Sequence, residues 1–335
     1  MPTFRTGTVR EVLEQRTGLQ RVRVDLGGPE PERAYALTDL TGTVAAGDRV
    51  VVNTTAVDLG LGTGGWHVIH WNLERGEWSE PGPGHIIKLR YTSLQADTGS
   101  DEEHRDDLPD NARGLVVVAC TVHSQVPGVA AAFKKAHGGR VAYVMTDGAA
   151  LPIVISDLVV AMRESGLVDA TVTAGHAFGG DLEAVTVPAA LVLARHALHA
   201  DLAIVGMGPG VVGTGTGLGT TAVEAAAVLD SAAALGAEPV LALRVSDADQ
   251  RERHRGLSHH SATVLDLVRS PVHVAAHPWL GDQPRHDVRE VEQPDTPALL
   301  ETAGVAVTTM GRGPEEEPSF FAAAGAAGVL AAGFA

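Results

Sequence analysis

The densest set of chemically capable side chains in the sequence is the run Arg253-His254-Arg255-Gly256-Leu257-Ser258-His259-His260. Two guanidinium groups can clamp an anion, and imidazoles at His254, His259 and His260 can move protons or ligate a metal. A solvated loop in which Ser258 caps the next helix accounts for the same residues. No metal is assigned, because histidine sites of this kind usually draw on carboxylates at matching geometry. Asp181 and Glu183, near His176, could supply carboxylates only if the fold brought them close.

A second segment with chemical potential is Gly206-Met207-Gly208-Pro209-Gly210-Val211-Val212-Gly213-Thr214-Gly215-Thr216-Gly217-Leu218-Gly219, between an apolar run and a helical stretch. Glycines let backbone amides approach an anion, and a following helix N-terminus adds partial positive charge. Gly208, Gly210 and Gly213 have dinucleotide-binding spacing. Pro209 offers no amide, however, and no acidic residue stands at a strand end about twenty residues on; Asp230 has the distance but falls in the expected helix 220–235. The same glycines match half of a Walker A motif, with Thr214-Gly215 where a lysine and a hydroxyl residue belong. A tight crossover needing glycine for packing is the structural explanation, yet it requires fewer glycines than stand here. The expected ligand-binding residues are therefore Gly208, Gly210, Gly213, Thr214, Gly215 and Thr216 with Arg253, His254 and Arg255. The expected ligand is a small anion, and the cofactor is left open.

These segments need elements to position them. From residue 114 onward, apolar runs at 115–122, 141–146, 170–174, 202–207, 240–245, 272–276 and 305–310 alternate with helical stretches such as 151–165 and 187–199. This is the pattern of a Rossmann-like, doubly wound, mostly parallel sheet. In such sheets ligands sit beyond the carboxyl ends of the strands, where the sequence places His123-Ser124-Gln125, Asp147-Gly148, the stretch from Gly175 through His176 and Asp181 to Glu183, Ser246-Asp247 and His277. Asp147, His176, Asp181, His259 and His260 are the candidate general acids and bases. Cys120 lies in an apolar strand and reads as a core thiol. Ser124 and Ser258 lack a nucleophile elbow.

Residues 1–95 read as a small β-barrel of SH3 or OB type, with strands at 7–13, 20–26, 33–37, 48–53 and 67–73. A second glycine cluster there, Gly60-Leu61-Gly62-Thr63-Gly64-Gly65, reads as a hairpin that could bring Trp66, His67 or His70 to a ligand. The acidic stretch 96–113 reads as a linker to the α/β domain, 114–335.

Composition removes several classes of function. A net charge of −16, without a basic run interleaved with aromatics, argues against nucleic acid. The single cysteine and a polar N-terminus point to the cytoplasm. The apolar tail 320–335 is too short to span a bilayer and reads as a docked helix. The alanine-rich stretch 222–234 can form a homo-oligomer seam or pack on the sheet, the second being commoner.

The segments Thr146-Asp147-Gly148-Ala149-Ala150-Leu151-Pro152, Gly175 to Glu183, the 206–219 loop and His254 to His260 together resemble a bacterial family, domain of unknown function 3866, over nearly the whole chain. The resemblance implies a shared design but no reaction, so it carries no catalytic residue. Three functions follow as expectations: a hydrolase or transferase on a phosphorylated or other anionic molecule, a nucleotide or metabolite sensor without catalysis, and, less well supported, a dinucleotide-dependent oxidoreductase.

Overall fold

The computed structural model describes residues 1–61 and 64–335, in two units, Met1–Asp97 and Thr98–Ala335. The part of the second glycine cluster at Gly62 and Thr63 lies outside the described residues.

In the first unit β1 (Phe4–Arg16), β2 (Leu19–Asp25), β3 (Glu32–Leu37), β4 (Arg49–Asn53) and β5 (His67–Asn72) close a barrel in the order β1-β2-β3-β5-β4. Alternation sends Val22, Val24, Ala34, Ala36, Val50, Val52 and Ile69 inward to one core. The closed five-stranded order, with β3 parallel to β5, is OB-like. Each residue singled out near the glycine cluster has a partner inside this unit. The Arg21 and Arg33 guanidinium groups lie over the Trp66 ring, buried His67 meets Glu32 at 2.8 Å, and His70 packs on Phe4.

The second unit holds eight parallel strands: β6 (Val116–Cys120), β7 (Val141–Thr146), β8 (Ala170–Ala174), β9 (Leu182–Ala184), β10 (Leu202–Met207), β11 (Glu238–Ala242), β12 (His273–Ala275) and β13 (Asp287–Arg289). Their order is β9-β8-β7-β10-β6-β11-β12-β13. The central strands are buried on both faces, as their unbroken apolar runs require. Helices α1 (Val126–Ala136) and α2 (Asp157–Glu164) pack on one face. Helices α3 (Val187–Val192), α4 (Glu224–Ala234) and α5 (His259–Leu267) pack on the other. Right-handed crossovers impose this: the chain moves from β6 to one side through α1 and later from β10 to the other side through α4. Of the alanines of α4, Ala225, Ala226 and Ala232 are buried on the sheet, whereas Ala227 and Ala234 are exposed.

The last two helices are α6 (Thr296–Thr302) and α7 (Pro318–Ala332). Helix α7 is the expected docked tail, and small residues let it lie close on α1. A Cβ on Gly328 would stand 2.3 Å from the Val129 carbonyl oxygen, and one on Gly128 would stand 3.0 Å from the Ala324 methyl. No helix among the described residues is long and apolar enough to cross a membrane.

Three secondary-structure expectations need correction. Residues 305–310 are not a sheet strand: Val305 and Val307 alternate into the core, but the edge beside β12 is occupied by β13. Helix 151–165 is shortened to α2 because Ser156 caps Val159 N after a 3₁₀ turn at Ile153–Ile155. The helix expected from 220 begins at Glu224, after the 3₁₀ turn Thr221–Val223. The acidic stretch is divided at residue 97, and its later part is docked on β9. Asp101 accepts from Glu183 N at 2.7 Å and Glu102 from Val185 N at 3.0 Å.

Candidate anion-binding site

Strands β10 and β11 flank β6, and the loops leaving their carboxyl ends enclose a cavity of about 110 Å³. Gly213, Gly215 and Thr220 line it from the first loop; Arg244, Arg251, Arg253, His254, His259 and His260 line it from the second; Val211, Val212 and Met310 give it an apolar wall. This is the crevice at which a doubly wound sheet changes direction.

The first loop is a hairpin held by its own threonines. Thr214 N donates to Gly219 O at 2.7 Å, Gly219 N to Thr216 Oγ1 at 3.1 Å and Thr221 N to Val212 O at 2.9 Å. Thr214 and Thr216 are therefore engaged with the loop itself. The amides of Gly213 and Gly215 take no part in those bonds, and both residues face the cavity. Gly215 has φ +90°, which a side chain resists, and its α-carbon lies beside the Arg253 guanidinium. Gly208 has a packing role instead: a Cβ there would stand 2.9 Å from Ala150 O. Neither Gly208 nor Gly210 lines the cavity. Helix α4 starts too far beyond Gly213 for a dinucleotide arrangement, and Asp230 accepts from Arg269 N and Ser270 N within the helical layer.

The second loop contains the cations. Arg244, only 3% exposed, donates to His260 Nδ1 at 2.8 Å. An arginine can only donate, so His260 Nδ1 carries the lone pair and Nε2 carries the proton, which faces Thr220 Oγ1 at 3.2 Å. His254 Nδ1 meets Ser258 Oγ at 2.8 Å, and Ser258 caps α5 by accepting from His260 N. Burial, then the neighbouring Arg244, lowers His254 to about 3 and His260 to about 2; burial, then Arg253, also lowers His259. The positive charge of the site thus comes from its arginines. Arg244 is itself lowered to about 10, by burial and then by Arg251. Arg255 is exposed and lies off the cavity.

A buried network holds this loop. Asp249 grips Arg251 through two bonds, at 2.9 and 2.7 Å, which keep its carboxyl far below the usual range. Fully buried Glu317, at the start of α7, accepts from Arg312 Nε at 2.6 Å and Asp247 N at 2.9 Å, and meets Ser246 Oγ at 2.7 Å. Gln125 joins the ends of β6 and β11, accepting from Thr121 N and donating to the Ala242 and Leu243 carbonyls.

The remaining candidates do not line the cavity. Asp147, after β7, accepts from His176 N at 3.0 Å and packs on Gly175, so these two do meet each other. Asp181 lies toward the amino end of the sheet, because the register Val172↔Leu182 sets it beside Thr171, whose amide and hydroxyl it engages; it also pairs with Arg163. His123 is tied to Tyr143 and Ser156 and lowered to about 4 by burial. Cys120 is a core thiol raised by burial.

Sequence reasoning missed three residues. Arg244 and Arg251 belong to the cavity, and Glu224 stands beside Asp147. Burial raises Glu224 to about 7 against the opposing Thr146 hydroxyl bond, with Asp147 adding repulsion. The folded state therefore holds this proton more tightly than the unfolded chain, and stability falls as pH rises from about 4.5 through about 7, by on the order of 3 kcal/mol. Glu224→Gln is expected to remove that slope, which urea melts between pH 5 and 8 will show; an unchanged slope would assign it to another group.

Residues 33–328 match the sequence model of one family, described as Protein of unknown function (DUF3866). No curated protein and no solved structure gives a significant match. The family match takes in the later barrel strands, both cavity loops and most of α7, and the chain belongs to the DUF3866 family.

Proposed function

We propose that the second unit binds a small phosphorylated or otherwise anionic molecule in the cavity between the two loops. The observation that carries this reading is the convergence of Arg244, Arg251 and Arg253 on one cavity that, among the described residues, no carboxylate lines. Asp249 offsets Arg251, but among the described residues neither Arg244 nor Arg253 has an ion-pair partner. Guanidinium groups crowded in this way repel one another, and a bound anion relieves the repulsion while accepting their forked hydrogen bonds. Gly213 and Gly215 allow the approach.

Binding without catalysis, as in a metabolite sensor, is the simpler form of this reading. Thr220 is the only hydroxyl lining the cavity among the described residues, and His260 donates to it, so the imidazole cannot serve as its base. A hydrolase or transferase acting on the same anion is the second reading, favoured by the three histidines that face the cavity. The buried lone cysteine suits a reducing compartment, and we take the cytoplasm as the place of binding.

Soaking crystals in sodium tungstate tests the reading. Anomalous density within hydrogen-bond reach of Arg244 and Arg253 is the expected result; density confined to other surfaces would contradict it.

A further inference from the structure

The ligating nitrogens of His254, His259 and His260 all lie within 4.8 Å of one another. Tetrahedral coordination at about 2.0–2.1 Å would set them about 3.4 Å apart, a closure that small ring rotations supply. Histidines that hold metals use one ring nitrogen on the ion and fix the other through an outer hydrogen bond. The two buried members have that arrangement. His254 has Nδ1 on Ser258 Oγ, leaving Nε2, and His260 has Nε2 on Thr220 Oγ1, leaving Nδ1. The lone pair of His260 Nδ1 already receives a cationic group, the Arg244 N–H at 2.8 Å. His259, its ring centroid 4.7 Å from that of His254 and 4.5 Å from that of His260, completes the set.

We propose that His254 Nε2, His259 and His260 Nδ1 together hold one divalent transition-metal ion of the kind imidazole favours, Zn²⁺ or Co²⁺, beside the anion cavity. Binding requires Arg244 to leave His260 Nδ1. The released guanidinium, with Arg251 and Arg253, then faces an anion in the fourth coordination position. Metal and anion consequently strengthen each other by the same factor, and this part of the proposal rests on the anion reading above. Without an anion, nearby arginines oppose the ion, so affinity for metal alone is modest.

The experiment is a titration of the chelator-stripped full chain with Co²⁺, with and without inorganic phosphate, followed by visible absorbance. One equivalent is expected to give the intense bands of four-coordinate Co²⁺, with phosphate tightening binding about tenfold or more, within the usual range of such coupling. His259→Ala removes a partly exposed ring and a direct ligand, so Co²⁺ binding is expected to weaken by more than the about 10- to 100-fold that loss of an outer-shell partner costs, while the circular dichroism spectrum stays unchanged. His254→Ala serves as the second variant, with the same loss of Co²⁺ binding expected. Wild-type protein that shows only the pale spectrum of hexaaqua Co²⁺, or histidine variants that bind as tightly as wild type, would overturn the site. Phosphate binding in chelator with no Co²⁺ bands would overturn the metal and leave the anion reading standing. Histidine-dependent Co²⁺ bands with no phosphate binding would do the reverse.

Discussion

Replacing Glu317 by alanine is expected to destabilise the second unit by about 3–5 kcal/mol, the cost of leaving a buried ionic partner uncompensated. Glu317 is fully buried, and the carboxylate it would lose is shared among the Arg312 guanidinium, the Ser246 hydroxyl and the amides of Asp247 and Ala248. Water cannot readily take those places. Calorimetry should show the transition of this unit lowered by on the order of 10 °C. Glu317→Gln keeps one acceptor oxygen and the side-chain volume, so it should fall between alanine and wild type. Because Arg312 also reaches Asp249, which holds Arg251, the alanine variant should lose anion affinity as well. An alanine variant as stable as wild type would mean that the network does not fix the loop.

Gly215→Val is expected to weaken anion binding by about 10- to 100-fold, the value of one charge-assisted hydrogen bond, with little loss of stability. A new Cβ would stand 3.5 Å from the Arg253 guanidinium, and the two valine methyls extend beyond it into the space that the guanidinium and the anion share. The φ of +90° adds strain that a β-branched residue cannot relieve. The residue is exposed, so the strain is taken up by a surface hairpin and the core is untouched. Gly208→Val, by contrast, should damage folding, since its Cβ would meet the Ala150 carbonyl and Met145.

The barrel and the central parallel strands were legible because buried strands need apolar runs, and these runs are bounded by glycine turns. Strands β9 and β13 were not, because three residues carry no measurable periodicity. Residues 305–310 show a strand's alternation, since an extended segment laid on a core alternates whether or not it joins a sheet. The gathering of Gly213, Gly215, Arg253, His254, His259 and His260 on one edge was legible because both segments follow the carboxyl ends of buried strands. Arg244 was hidden inside the apparent strand 240–245; its signal was a charged residue at the carboxyl end of an apolar run. Glu224 had a similar signal, a lone acid opening an alanine-rich helix. Asp181 was placed at the wrong end of the sheet because the register of β9, which no local pattern encodes, decides which end precedes the strand.

In the proposed complex one anion sits between the glycine hairpin and the arginines. This arrangement is tested most directly by calorimetric titration of inorganic phosphate into wild-type and Gly215→Val protein under identical ionic strength. One site per chain is expected in the wild type, weakened by high salt and reduced about 10- to 100-fold in the variant. Equal affinities for the two proteins, or no heat of binding to either, would contradict it.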